Sequence, residues 1–298
     1  MIDISNTIHS NVTRLEDLNL IDAFLFQEAT ANPVHAKMIA QIIIRRALGI
    51  ELGDAIVEVE KPMNGYTPDK HGLRMDICVS EFNSPHNPSL PSRLFKIEHN
   101  KYRETDLPRR SRYSTSLLDA KILPTNTPFS LLPNIFSIWI LPYDPFGENR
   151  MIYTVKNMVV ENSNLEYNDG ITKIFLCING SLGGTKELAD LLHYFSHSTL
   201  NNANDKELIE IQHIIDEIKH NEKAGERYMR FVTYEEYIEM AKEHGYITGY
   251  ESGYDSGVKA FITALKSSSF DQSQVKEALI NHYNLSSDKA DKYLDLYW

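Results

Sequence analysis

LRMDICVSEF (73–82) and RLFKIEHN (93–100) read as two strands joined through a Pro- and Ser-rich turn segment, SPHNPSLPS (84–92). Side chains alternate along a strand. Met75, Ile77 and Val79 are therefore expected to face the core with Asp76 turned the other way, and Lys96, Glu98 and Asn100 to share one face with Phe95 and Ile97 on the opposite one. Each strand thus pushes one carboxylate out of an otherwise apolar run. Crowded carboxylates repel and raise each other's pKa unless a cation neutralises them, and hard oxygen ligands suit Mg²⁺ or Mn²⁺. Such an ion polarises a phosphoryl oxygen and lowers the pKa of an attacking water. Acids on the open face of a strand are more often simply solvated, so the pair needs support from its surroundings.

That support comes from charge. Between Arg93 and Arg112 there are seven bases (Arg93, Lys96, Lys101, Arg103, Arg109, Arg110, Arg112) and three acids (Glu98, Glu104, Asp106), a local balance of +4 in a chain whose net charge is −11. The total argues against a protein that coats nucleic acid, whereas the local excess is where phosphate contacts are expected. A solvated basic face is the plainer alternative.

Outward from these strands the chain falls into two parts. All 12 prolines and most strand-like runs precede Asn201, while the rest holds 18 acids against 11 bases. This predicts an α/β domain over 1–200, a mixed sheet flanked by helices, and an all-helical region over 201–298. Within the first part, helical spacing over 22–48 is interrupted at Asn32-Pro33, so a short helix precedes a longer one. AIVEVEK (55–61), IFSIWILPY (135–143), MIYTVKNMVVE (151–161) and TKIFLCING (172–180) read as further strands. Pro108 opens a helix over 108–122, and KELADLLHYFS (186–196) forms another. The order around the acids is helix, three strands, helix, strand.

The second part predicts helices at 204–221, 233–264, 273–283 and 286–297. Gly245, Gly249, Gly253 and Gly257 recur every fourth residue beside Tyr246, Tyr250 and Tyr254. Four helical glycines cost about 4 kcal/mol relative to alanine. Either another helix, from this chain or a second copy, approaches the stripe closely, or the segment is a partly helical hinge. Self-association through this region is the expectation.

An Asp on one strand, Glu-x-(Lys or Gln) on the next and then a basic helix resemble the PD-(D/E)xK nuclease superfamily, and more specifically the Rpn-type recombination-promoting nucleases often labelled transposases. IDAFLF (21–26), GLRMDI (72–77), FKIEHN (95–100), RRSRY (109–113), YDPFG (143–147) and YNDGITKIFLCING (167–180) follow that family's order over most of the chain, and the Gly-rich C-terminal helix is typical of it. The resemblance implies a restriction-endonuclease-like core and metal-dependent hydrolysis of DNA phosphodiesters. Asp76 and Glu98 would hold Mg²⁺ or Mn²⁺, and Arg110, Arg112 and Tyr113 would contact phosphate or brace the site. The third position of the motif falls on Asn100, which can orient water but lacks the lysine charge; Lys96 on the same face is the substitute. Asp22 is either an auxiliary acid or a helix N-cap. The rival reading is a nuclease fold with weakened catalysis that serves as a DNA-binding or assembly module.

Other features carry less. GSLGGTKE (180–187) lacks the adjacent Gly-Lys-Ser/Thr of a phosphate loop. His193 and His197 are spaced for a metal on one helix face but have no third ligand, and His99 is expected to point away from Glu98. Cys78 and Cys177 sit in apolar runs, as buried thiols of a reducing compartment do. Without a bilayer-length apolar run or a signal-like N-terminus, a cytoplasmic protein with no membrane partner is expected.

Overall fold

The computed structural model describes residues 13–63, 72–82, 89–267, 270–283 and 285–298, and outside the description lie the side chains of 234–252 and 282. The first helix, α1 (Ala23–Thr30), gives way to α2 (Pro33–Leu48) where the Asn32 side chain accepts the N–H of Val34 and Pro33 opens the new helix. Gly49, with φ 67°, ends α2 in the left-handed conformation that suits glycine. Then come β1 (Ala55–Met63), β2 (Leu73–Glu81), β3 (Arg93–His99), α3 (Leu107–Ile122), β4 (Asn134–Leu141), β5 (Ile152–Val155), β6 (Ile171–Cys177) and α4 (Lys186–Ser196). The expected order of helix, three strands, helix, strand is present.

These strands form one six-stranded mixed open sheet in the order β1-β2-β3-β4-β6-β5. The pairs β1–β2, β2–β3 and β5–β6 run antiparallel, and β3–β4 and β4–β6 parallel. The strand expected over 151–161 shrinks to four residues. Val155 already pairs with Lys173, two residues into β6, so the ladder runs out there.

Both faces of the central strands are covered, so the plainer alternative of acids solvated on an open face does not describe Glu98. Phe26 of α1 packs with its ring tilted 33° to that of His99, centroids 4.6 Å apart, on one side, and Ser114 of α3 meets Lys96 on the other. α3 comes close because its inner face is built from small residues, Ser111, Ser114 and Thr115, between Leu107 and Leu117–Leu118. Lys96 is consequently 1% exposed and Glu98 4%. Cys78 and Cys177 are buried free thiols, pushed by burial up to about 11 and about 12.

The remaining helices are α5 (Lys206–Lys219), α6 (Glu222–Ser267), α7 (Gln272–Tyr283) and α8 (Ser287–Tyr297). Beside the expected division at residue 200, the chain packs as two compact units, Met1–Tyr228 and Met229–Trp298. α5 belongs to the first because its face of Leu208, Ile211, Ile214 and Ile215 is buried and the helix lies against α1 and α2. Arg46 fastens it. This side chain, 2% exposed, donates to Asp205 Oδ2 and Glu207 Oε2 at 2.8 Å each and to the Glu187 carbonyl at 3.0 Å.

The second unit has its own core of Val258, Ile262, Val275, Leu279, Leu285, Ala290 and Leu294. Tyr283 of α7 donates from its hydroxyl to the Gly257 carbonyl at 3.3 Å, a close approach within the same chain at the last glycine of the repeat. Gly253 has open space around it, and the surroundings of Gly245, Tyr246, Gly249 and Tyr250 lie outside the described residues.

The clamp on Arg46 predicts an asymmetry. Replacing both Asp205 and Glu207 by Ala strands a buried guanidinium and is expected to cost about 3–5 kcal/mol in urea unfolding of the full chain. Arg46→Met leaves two acids that water already reaches, and costs less. Burial raises the Asp205 carboxyl, but the Leu208 N–H and the Arg46 guanidinium outweigh it and hold the group below its ordinary 3.8. The clamp's stabilisation is therefore full above that ordinary value and is lost as pH falls through the depressed one.

Candidate functional site

Asp76 and Glu98 meet through register. Ile77 pairs with Ile97 in the antiparallel β2–β3 ladder, so one step further along Asp76 stands across from Glu98. Directly opposed residues on one face have Cβ atoms about 5 Å apart. The site therefore lies at the start of β2 and the carboxyl end of β3. There β3 runs parallel to β4, and Glu98 pairs with Trp139.

Each carboxylate is held by one of its oxygens. The backbone N–H of His99 donates to Asp76 Oδ2 at 2.9 Å, and its Nδ1 stands 2.8 Å from the same oxygen. A carboxylate only accepts, so the Nδ1 proton faces it. Lys96 Nζ lies 3.0 Å from Glu98 Oε1 and 3.0 Å from Ser114 Oγ, and 4.4 Å above the Trp139 ring. Burial drives the Lys96 pKa down against the pull of Glu98, and drives that of Glu98 up against the pull of Lys96. Asp76 Oδ1 and Glu98 Oε2 are the oxygens left for another ligand.

Asn100 follows on the same strand. Its N–H donates to the Ile140 carbonyl at 3.0 Å and its Oδ1 accepts the Tyr102 N–H at 3.0 Å. Its Nδ2, however, is buried with no hydrogen-bond partner. A buried unpaired donor costs about 1–3 kcal/mol, and an incoming acceptor would recover that.

The basic helix contributes unevenly. Arg110 lies at the edge of the buried face of α3, 5.3 Å over the Trp139 ring and ion-paired with Glu104, and its charge is felt by both Lys96 and Glu98. Arg112 is exposed and falls on the side of α3 away from the sheet, so it is not brought to the carboxylates. Tyr113, 39% exposed, falls on the outer side of the helix, opposite its buried face. The Asp22 side chain does not cap α1. It accepts the Asn19 N–H at 2.8 Å and pairs with Lys101, which brings it to the edge of the site.

Sequence reasoning missed three contributors. His99 sends its ring onto Phe26 as alternation demands, yet it is the residue that holds Asp76. Trp139 reads as plain core but underlies both cations. Glu60, between the Val59–Ile77 and Lys61–Met75 pairs, stands across from Asp76 with a φ of 49° that few non-glycine residues adopt. Its carboxyl is raised by burial, against Arg74 at 2.8 Å. A row of three acids across three neighbouring strands was visible in AIVEVEK only once the register was known.

A divalent cation fits this donor set in one way. No three His, Cys, Asp or Glu side chains converge on a metal position among the described residues. Mg²⁺ binds through one or two carboxylates and completes its octahedron with water and substrate phosphate. Asp76 and Glu98 suffice for that mode, and an all-protein cage is absent among the described residues. His193 and His197 stack with ring centroids 4.7 Å apart, again without a third ligand.

The surrounding charge is narrower than its sum. Arg93 is tied to Glu81, Lys96 to Glu98, Lys101 to Asp22 and Arg110 to Glu104. Arg103, Arg109 and Arg112 remain exposed without an ion pair among the described residues. No protein-family model, curated protein or solved structure matches the chain.

Proposed function

We propose that the chain is a Mg²⁺- or Mn²⁺-dependent DNA endonuclease with a restriction-endonuclease-like core, of the kind found in the Rpn-type recombination-promoting nucleases. The observation that carries this reading is the opposition of Asp76 and Glu98 on adjacent strands, with Lys96 at 3.0 Å from Glu98 on the same strand face. Asp76 and Glu98 would hold the ion, which supplies Lewis acidity toward a phosphoryl oxygen and an activated water. His99 fixes Asp76 by gripping one oxygen from two sides. Lys96 orients Glu98 and places positive charge beside it. Asn100 offers its unpaired Nδ2 to a water or phosphate oxygen, and Arg110 can exchange Glu104 for a phosphate.

Lys96 also supports the second reading. A buried lysine that already neutralises Glu98 competes with a metal, and Asn100 brings no charge of its own, so a nuclease fold with weakened catalysis would bind DNA without cutting it. Arg112 and Tyr113 serve either reading as surface contacts to the strand.

With Mg²⁺ or Mn²⁺, purified protein is expected to nick or linearise plasmid DNA, and Asp76→Asn or Glu98→Gln to lower the rate at least about a hundredfold. An uncut plasmid, with Asp76→Asn indistinguishable from wild type, overturns the enzymatic reading. His99→Ala should weaken metal dependence about 10- to 100-fold, the range for partners that orient a ligating group. Asn100→Lys separates the two readings: a gain in cleavage marks that position as limiting, and unchanged DNA binding without cleavage favours the binding module. Self-association through the C-terminal unit is tested by ending the chain after Tyr228, which keeps the Arg46 clamp; light scattering should then report a smaller assembly than the full chain forms.

A further inference from the structure

We propose that Tyr102 is a stacking platform for an unpaired base, so that the substrate class of the site is single-stranded or frayed DNA; this rests on the nuclease reading above. Tyr102 is 74% exposed and lies only two residues after Asn100. Its backbone is held in place from both sides. Its own N–H donates to Asn100 Oδ1 at 3.0 Å, Asn100 in turn donates to the Ile140 carbonyl of β4 at 3.0 Å, and Glu104 donates from its N–H to the Tyr143 hydroxyl at 3.2 Å. The bend 101–103 is thus tied at each end to β4 or to the chain just beyond it, and the ring is presented to solvent two residues beyond Asn100.

The neighbourhood has the two parts that such recognition needs. Lys101, paired with Asp22 but with half its side chain exposed at 52%, and the exposed Arg103 adjoin Tyr102 in sequence, and Arg109 and Arg112 are exposed on α3. Single-strand binders combine cations that follow the backbone with aromatic rings on which bases stack, and the stacking tolerates any sequence because every base has a π-face. In a duplex those faces are hidden in the base stack, so an exposed ring offers nothing to paired DNA beyond its ends. Asn100 Nδ2, the buried donor without a partner, lies in the residue whose carbonyl oxygen anchors the same bend. A base on Tyr102 would bring its adjoining phosphate toward that donor and toward Glu98.

The test is fluorescence anisotropy on full-length Asp76→Asn protein, which should bind without cutting, with a labelled 20-nucleotide single strand and the matching duplex at equal salt. Adding Tyr102→Ala is expected to weaken single-strand binding roughly 5- to 150-fold, the range that one stacked base supplies, and to lower the ratio of single-strand to duplex affinity by the same factor. Tyr102→Trp should restore the ratio. A ratio unmoved by Tyr102→Ala, in protein that still binds DNA, overturns this inference and leaves the nuclease reading standing. If the full-length chain neither binds nor cuts either form, both fall together.

Discussion

The Lys96 ammonium is removed from water at the centre of the α/β unit, and the arrangement around it follows from the need to satisfy it. Desolvating an ion costs several kcal/mol even after relaxation, and one opposite charge offsets that only if the remaining donors also find partners. Lys96 has three protons, and three groups meet it: Glu98 Oε1, the Ser114 hydroxyl and the face of Trp139. Ser114 can accept because its own proton goes to the Ser111 carbonyl at 2.9 Å. The pair thereby fixes which face of β3 turns to α3 and why α3 carries small residues there. It also fixes where β4 must place its tryptophan, and those three elements build the site.

How far the sequence reveals this depends on what kind of pattern each feature leaves. Periodicity and caps give the elements: Asn32-Pro33 opens α2, Pro108 opens α3, and alternation over 73–82 and 93–100 aligns the acids. The covering of both sheet faces leaves no such mark. Lys96, Glu98, Ser111 and Ser114 are polar in sequence whether they meet water or each other, so a strand face that is buried and ion-paired reads as solvated. The extent of the first compact unit leaves no local mark either. Composition changes near residue 200, where the acidic helices begin, but α5 joins the first unit through its buried apolar face and through Arg46, whose acidic partners are about 160 residues away in sequence. Nothing local in IIIRRAL distinguishes that arginine from the half-buried Arg45 before it.

The candidate site was legible to the same depth. Alternation identifies Asp76 and Glu98 because it concerns the direction of Cβ, and it correctly turns the His99 ring toward the far face. It is silent on contacts made at the end of a ladder, where the backbone N–H and Nδ1 of His99 both reach the Asp76 carboxylate. Glu60 is silent for another reason: its position across from Asp76 depends on the β1–β2 register, which no hydrophobic pattern in a strand with acids at 58 and 60 specifies strongly.

The local charge of +4 must be read in the same light. A segment sum counts every base, while attraction for phosphate depends on those that remain unpaired. Four of the seven are spent on internal acids, and two of these, Lys96 and Arg110, act on the site itself. Arg103, Arg109 and Arg112 are left to face solvent. Their field decays over about 8 Å at physiological salt, and farther away the acidic body of the chain repels a polyanion. On the proposed nuclease reading, a strand would be held near the carboxylates and discouraged elsewhere. A net charge of −11 is thus compatible with the proposed nucleic-acid partner, whose binding it would confine to a short stretch of strand.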